Sequence, residues 1–485
     1  AGLNARDARV VLGANRVGMD GGVTAQAGDG PSPALALDTG ALGGMYAHRI
    51  SLVSTEQGVG VNTAGLSARQ GDIRLAANGR LQVGSAIAQG DLTAQGATLA
   101  LQDQQQAQGS IALSGTQGIT LTGSQTRAGR DLTLASDGRI AADGGRLSAG
   151  VGDDGAVQPG YGLTLSGSAL ALGQAQLAGD RVSQAAGGAW QAGRALTVSG
   201  GALTLDGDAG APTVTVSGGS IRGAGRWQAT GELTLDGAGE MQWDGALLAG
   251  SGLTVSAGSL SNRGTLAGGT VRLTTPVLDN RGTLLGVTDG AIQLTGAYQG
   301  GADSRLLGNG AFSLTAATLD NAGQLQAQDV TLRAARLRNQ GGISGAGQLT
   351  ATLDDQLENT AGATLLGGAV SLSGASVSNA GQIQGRGGLT VQSGGVLDNL
   401  GGGQLLSGGT LTLTAAQLNN AGWAQGTELL LSTAQLDNGG TLQAQNGLTL
   451  HLPQWTNRGT VQAGQLDITT DGALENRGTL LGLTR

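Results

Sequence analysis

The sequence predicts an all-β fold, a right-handed parallel β-helix with a repeat of about 20 residues, each coil made of three short strands, and three observations predict it. An apolar residue, any residue, Asn and then Gly recur at a nearly constant spacing from Leu260 to the end of the chain. Between these signatures, apolar residues fall two apart, the period of a strand. Glycine supplies 93 of the 485 residues and aromatics only 2%. Such a chain cannot fill a wide core, but it can fill a narrow one closed by many tight turns.

Composition narrows the alternatives. Collagen needs glycine at every third position and abundant proline, whereas proline totals 6. Disorder needs low hydrophobicity and high net charge, yet 39% of residues are hydrophobic and the net charge is −8. The chain has no cysteine, so disulfides and thiolate metal sites are excluded, and this suits a protein that crosses membranes unfolded. All 26 basic residues are arginine, a bias we ascribe to a GC-rich genome. They are scattered and the pI is near 4.8, so no nucleic-acid footprint appears. No apolar run approaches the roughly 18 residues of a membrane span. The start at Ala1-Gly2-Leu3 and the mid-pattern end suggest an excerpt of a larger protein.

Four regions follow in order. Residues 1–66 carry no clear repeat and lead into the helix. Residues 67–187 repeat loosely: Gly71-Asp72-Ile73, Gly90-Asp91-Leu92, Gly109-Ser110-Ile111 and Gly129-Arg130-Asp131-Leu132 recur at the same spacing as the later array. The shared period predicts one continuous helix. A protruding loop is expected near 150–161, with Asp153, Asp154 and Tyr161 as candidate binding residues. Residues 188–259 are transitional coils, in which Trp190, Trp227 and Trp243 take the apolar turn position as core fillers. A second, smaller break is expected at Asp206–Pro212, adding Asp206 and Asp208 to the candidates.

Residues 260–485 hold the regular array. Its asparagines are Asn262, Asn280, Asn321, Asn339, Asn359, Asn379, Asn399, Asn420, Asn438, Asn457 and Asn476, with Tyr298-Gln299-Gly300-Gly301 as a degenerate copy. Eleven of the 18 asparagines in the chain fall at this phase, and none lies between Gly79 and Ser261. In a stacked solenoid equal positions lie about 4.8 Å apart, so an Asn column can hydrogen-bond along the axis. Asn also tolerates the left-handed backbone of a tight turn, and the following Gly relaxes the next position. This reading makes the array structural. From Ser67 onward the chain makes about 21 coils, a rod on the order of 100 Å.

Residues 42–50 (Leu-Gly-Gly-Met-Tyr-Ala-His-Arg-Ile), with Val53–Val61 after them, resemble the filamentous haemagglutinin and contact-dependent growth-inhibition exoprotein family of two-partner secretion. The matching stretch follows that family's secretion domain. The Leu-x-Asn-x-Gly array resembles its haemagglutinin repeats. The resemblance implies export through an outer-membrane transporter partner and display as a β-helical fibre on a Gram-negative cell surface. No adhesive or toxic residue can be carried over.

Catalytic chemistry is thin. His48 and His451 are isolated, and His451 alternates with Leu450 and Leu452 as an outward strand residue would. Asp153-Asp154 and Asp354-Asp355 are the adjacent acidic pairs, and neighbours on a strand point to opposite faces. The expectation is no enzyme, cofactor or metal site, and no nucleic-acid partner. The first reading is a structural rod that projects an adhesive or toxin-delivery tip. Alternatives are a rod that itself binds a receptor or glycan through the two loops and, remotely, a β-helical carbohydrate-active enzyme.

Overall fold

The computed structural model describes residues 2–40, 43–121, 123–141, 145–151 and 158–484, with backbone alone for 166–176. The chain divides into two compact units, Ala1–Gly250 and Ser251–Arg485. Each is an all-β parallel solenoid.

In the second unit each coil has three strand segments that pair with the same segments of the coils before and after. Gln404–Ser407 stacks on Gln382–Gly385, Thr410–Thr414 on Gly388–Gln392, and Gln417–Asn420 on Val396–Asn399. The advance per coil is shorter from Leu260 to Leu278 than from Leu397 to Leu418, the difference being absorbed at the corners. Alternation drives this stacking. Leu405, Leu411, Leu413 and Leu418 point inward and are buried, while their strand neighbours face out. Each buried Leu contributes roughly 1.5–3 kcal/mol, but only once a neighbouring coil covers it, so the coils hold one another in place.

The torsional part of the expectation for the Asn-x-Gly signature does not hold. None of its asparagines adopts a positive φ, and among the glycines that follow them only Gly362 and Gly402 do, each in a lengthened corner. The asparagines end strands, as in Gln417–Asn420. The glycines stack where successive corners come too close for a side chain. A Cβ on Gly440 would run into the Gly422 carbonyl oxygen, and one on Gly459 into that of Gly440. Crowding between coils selects glycine at these corners, not backbone torsion.

In the first unit parallel pairing begins at Leu3, well before the sequence repeats become visible. Leu3–Asn4 pairs with Met45–Tyr46, and Asp7–Leu12 with Arg49–Ser54. Met45, Ala47, Ile50 and Leu52 are buried there. One antiparallel hairpin, Asn15–Val17 with Val23–Ala25, projects from this region. The Gly-Asp repeats cap coils: Asp72 Oδ1 accepts the Asp91 backbone N–H at 3.0 Å, and Asp91 Oδ1 accepts that of Ser110 at 2.8 Å.

Two expectations are corrected in this unit. Asp206–Pro212 does not break the ladder, because Asp208–Ala211 is one of its strands. Ala209 stacks between Trp190 and Trp227, and its small side chain lets the two indoles lean together, with ring centroids 5.9 Å apart and edge to face. The three tryptophans also do not share one position. Trp190 and Trp227 lie in the Ala209 column, whereas Trp243 stacks on Gly223 in another. All three are buried.

Candidate functional site

The most regular polar feature is a file of asparagines in the second unit, buried in all but its last member, Asn476. From Asn321 onward each Nδ2 donates to the Oδ1 of the next: Asn321 to Asn339 at 2.9 Å, Asn339 to Asn359 at 2.9 Å, and Asn359 to Asn379 at 2.8 Å. Asn379, Asn399, Asn420, Asn438, Asn457 and Asn476 continue it at 2.8–2.9 Å. The second amide hydrogen of Asn379 reaches the Gln404 backbone carbonyl at 3.2 Å, and that of Asn420 reaches Thr441 at 3.1 Å. Buried amides are thereby satisfied in the way burial demands. Asn262 donates to Asn280 at 2.8 Å, and there the file stops. Gly300 follows Asn280 in this column, leaving Asn280 Nδ2 and Asn321 Oδ1 without a hydrogen-bond partner. Burial lifts the Tyr298 phenol above its ordinary value, with the nearby Ser304 and Asn280 side chains partly opposing the rise.

Of the expected binding residues, Tyr161, Asp206 and Asp208 lie among the described residues. Asp153 and Asp154 lie outside the described residues, as does Leu42 of the amino-terminal motif. Tyr161 is half-buried beside the positive-φ turn at Gly160, whose N–H donates to Asp180 Oδ2 at 2.6 Å. The Asp206 side chain is half-buried at a corner. Asp208 spends one carboxylate oxygen as a cap, accepting the Arg226 backbone N–H at 2.8 Å. The surface here is nevertheless shaped. Gly210 leaves a notch of about 460 Å³ on the outward side of its strand, bordered by Gln191, Asp208, Arg226, Gln228 and Thr230. Glycine spacing alone did not distinguish this notch from the many glycines at corners.

No catalytic constellation appears among the described residues. His451 is exposed, its Nε2 3.7 Å from Asp471 Oδ2. Asp354 and Asp355 both face solvent at a corner, in place of opposite faces of a strand, and Asp355 pairs with Arg336 at 2.7 Å. Among the described residues no group of three or more His, Asp or Glu side chains is placed to hold a metal ion, and no helix is long and apolar enough to cross a membrane.

The haemagglutinin repeat family matches residues 345–436 and 424–478. A protein named deoxyribonuclease CdiA, from Dickeya dadantii strain 3937, is 57% identical over 244 residues, which is 50% of this chain and 7% of the relative. A 16S rRNA endonuclease CdiA from Enterobacter cloacae subsp. cloacae is 35% identical over 391 residues, covering 76% of this chain and 11% of the relative. A tRNA nuclease CdiA from Yersinia mollaretii is 44% identical over 183 residues, 38% of this chain and 6% of the relative. The chain therefore spans about a tenth or less of these relatives' length, and their nuclease names describe the whole proteins. No solved structure matches the chain.

Proposed function

We infer, from the premise that this chain is a haemagglutinin-repeat region whose homologues are CdiA contact-dependent inhibition proteins, that it is a structural rod. It projects an adhesive or toxin-delivery tip from the surface of a Gram-negative cell after export through an outer-membrane transporter partner. One observation carries this reading: the inward columns of the regular array keep their chemistry from coil to coil, Leu on Leu and Asn on Asn. A surface built by repetition sets distance and stiffness, and adding or removing a unit leaves every remaining contact unchanged.

The test is to delete one whole coil, Thr360–Asn379, from the full-length exoprotein. This brings Asn359 to the position of Asn379 in the file. We expect a folded, exported fibre shortened by about 4.8 Å per deleted coil, still able to inhibit target cells. Loss of target binding from a folded, exported fibre would refute a pure spacer.

In the second reading the rod is itself an adhesin, and the notch over Gly210 favours it. Gly210→Gln, which fills the notch, should then abolish cell binding while the coil-deleted fibre still binds.

A further inference from the structure

The second unit sorts its surface charge by face. On the strand that ends at the asparagines, the outward position carries Asp279, Asp320, Arg338, Glu358, Asp398, Asp437 and Glu475. The strand that follows the Asn corner is different. Its outward positions in six successive coils, starting at Thr364, Gln382, Gln404, Trp423, Thr441 and Thr460, hold no charged side chain. At the centre of this neutral strip sits Trp423, 42% exposed. It is stacked between Gln404 and Thr441, and beside it runs a second outward column of Leu406, Gln425 and Gln443. Among the described residues, no side-chain hydrogen bond engages Gln425 or Gln443.

We propose that this strip binds a neutral saccharide chain laid along the solenoid axis, with one sugar ring stacked on Trp423. An indole offers an apolar face to the C–H face of a pyranose. The flanking amides and hydroxyls supply both donors and acceptors, as sugar hydroxyls require. The lack of charge selects against phosphate, sulfate and carboxylate groups, which need cationic partners. It also leaves few counter-ions or tightly held waters to displace. Strand stacking repeats these groups about every 4.8 Å, so successive coils can meet successive sugars. The proposal is independent of the rod reading, since a spacer needs no exposed tryptophan.

The other four tryptophans, Trp190, Trp227, Trp243 and Trp455, are buried, so the solvent-sensitive fluorescence of this chain reports on Trp423. The experiment titrates the purified chain with chitohexaose and maltohexaose as neutral probes and a hyaluronan hexasaccharide as an anionic one. The expected result is a saturable blue shift with at least one neutral probe and none with hyaluronan. Calorimetry should then show the affinity lowered about tenfold in Trp423→Ala and Gln425→Ala, and unchanged in Leu430→Ala, an exposed residue on the next strand. Three outcomes overturn the proposal. They are no response to either neutral probe at millimolar concentration, equal binding by Trp423→Ala, or shielding of Trp423 that depends on protein concentration without sugar, which would make a second copy the occupant.

Discussion

The hydroxyl of Tyr298 occupies the space that a side chain on Gly300 would need: a Cβ at Gly300 would lie 2.6 Å from it. Tyr298 stands in the column of Leu278 and Leu319, and Gly300 in the column of Asn280 and Asn321. The two departures from the repeat are therefore one, a large residue in one column filling the volume given up by the next.

Gly300→Asn, which restores the repeat locally, should destabilise the chain by roughly 1–3 kcal/mol through overpacking against the phenol. Adding Tyr298→Leu should reverse the loss, because Asn can then join Asn280 to Asn321. Urea midpoints of the two single variants and the double variant check this. A double variant no more stable than Gly300→Asn would break the link between the two residues.

Asn359 accepts from Asn339 and donates to Asn379, and it is fully buried. Asn359→Ala strands a donor above and an acceptor below, at a cost of about 2–4 kcal/mol. Asn419, one residue before a file member and half-buried, donates to Asp398 outside the file. Asn419→Ala should cost under about 1 kcal/mol. Amide hydrogen exchange across the coils containing Asn339 and Asn379 should rise only in the first variant.

Tyr298 supplies a pH dependence of definite sign. Its phenol is held above its ordinary value by burial. The unfolded chain therefore loses this proton first, near pH 10. The contribution to stability is whole below that value and is lost as pH rises through the higher folded value. Thermal unfolding monitored upward from pH 9.5 should show this fall, and Tyr298→Phe should flatten it.

Ala209 holds open the gap in which Trp190 and Trp227 meet. Ala209→Leu should drive the indoles apart and cost about 1–3 kcal/mol. Near-ultraviolet circular dichroism should lose the signal of the coupled pair. A variant with unchanged spectrum and stability would show that the gap tolerates a larger side chain.

The sequence by itself determined the period, the in-and-out alternation and the parallel solenoid. Each is a local regularity repeated many times: Leu411/Leu413 and Leu448/Leu450 show the strand period directly, and asparagines mark all but one coil of the regular array. Tertiary structure decided the rest, because the remaining causes act between residues a whole coil apart. The corner glycines are selected by the carbonyl of the preceding coil, as Gly440 is by Gly422, which no torsional preference could reveal. Asp206–Pro212 reads as a turn by composition, yet its alanines and glycine form a strand because large indoles lie on both sides. The same holds for the notch over Gly210 and for exposed Trp423 among four buried tryptophans. Whether a residue faces core, solvent or a gap depends on the coils that stack against it, and these are set only when the chain closes each turn.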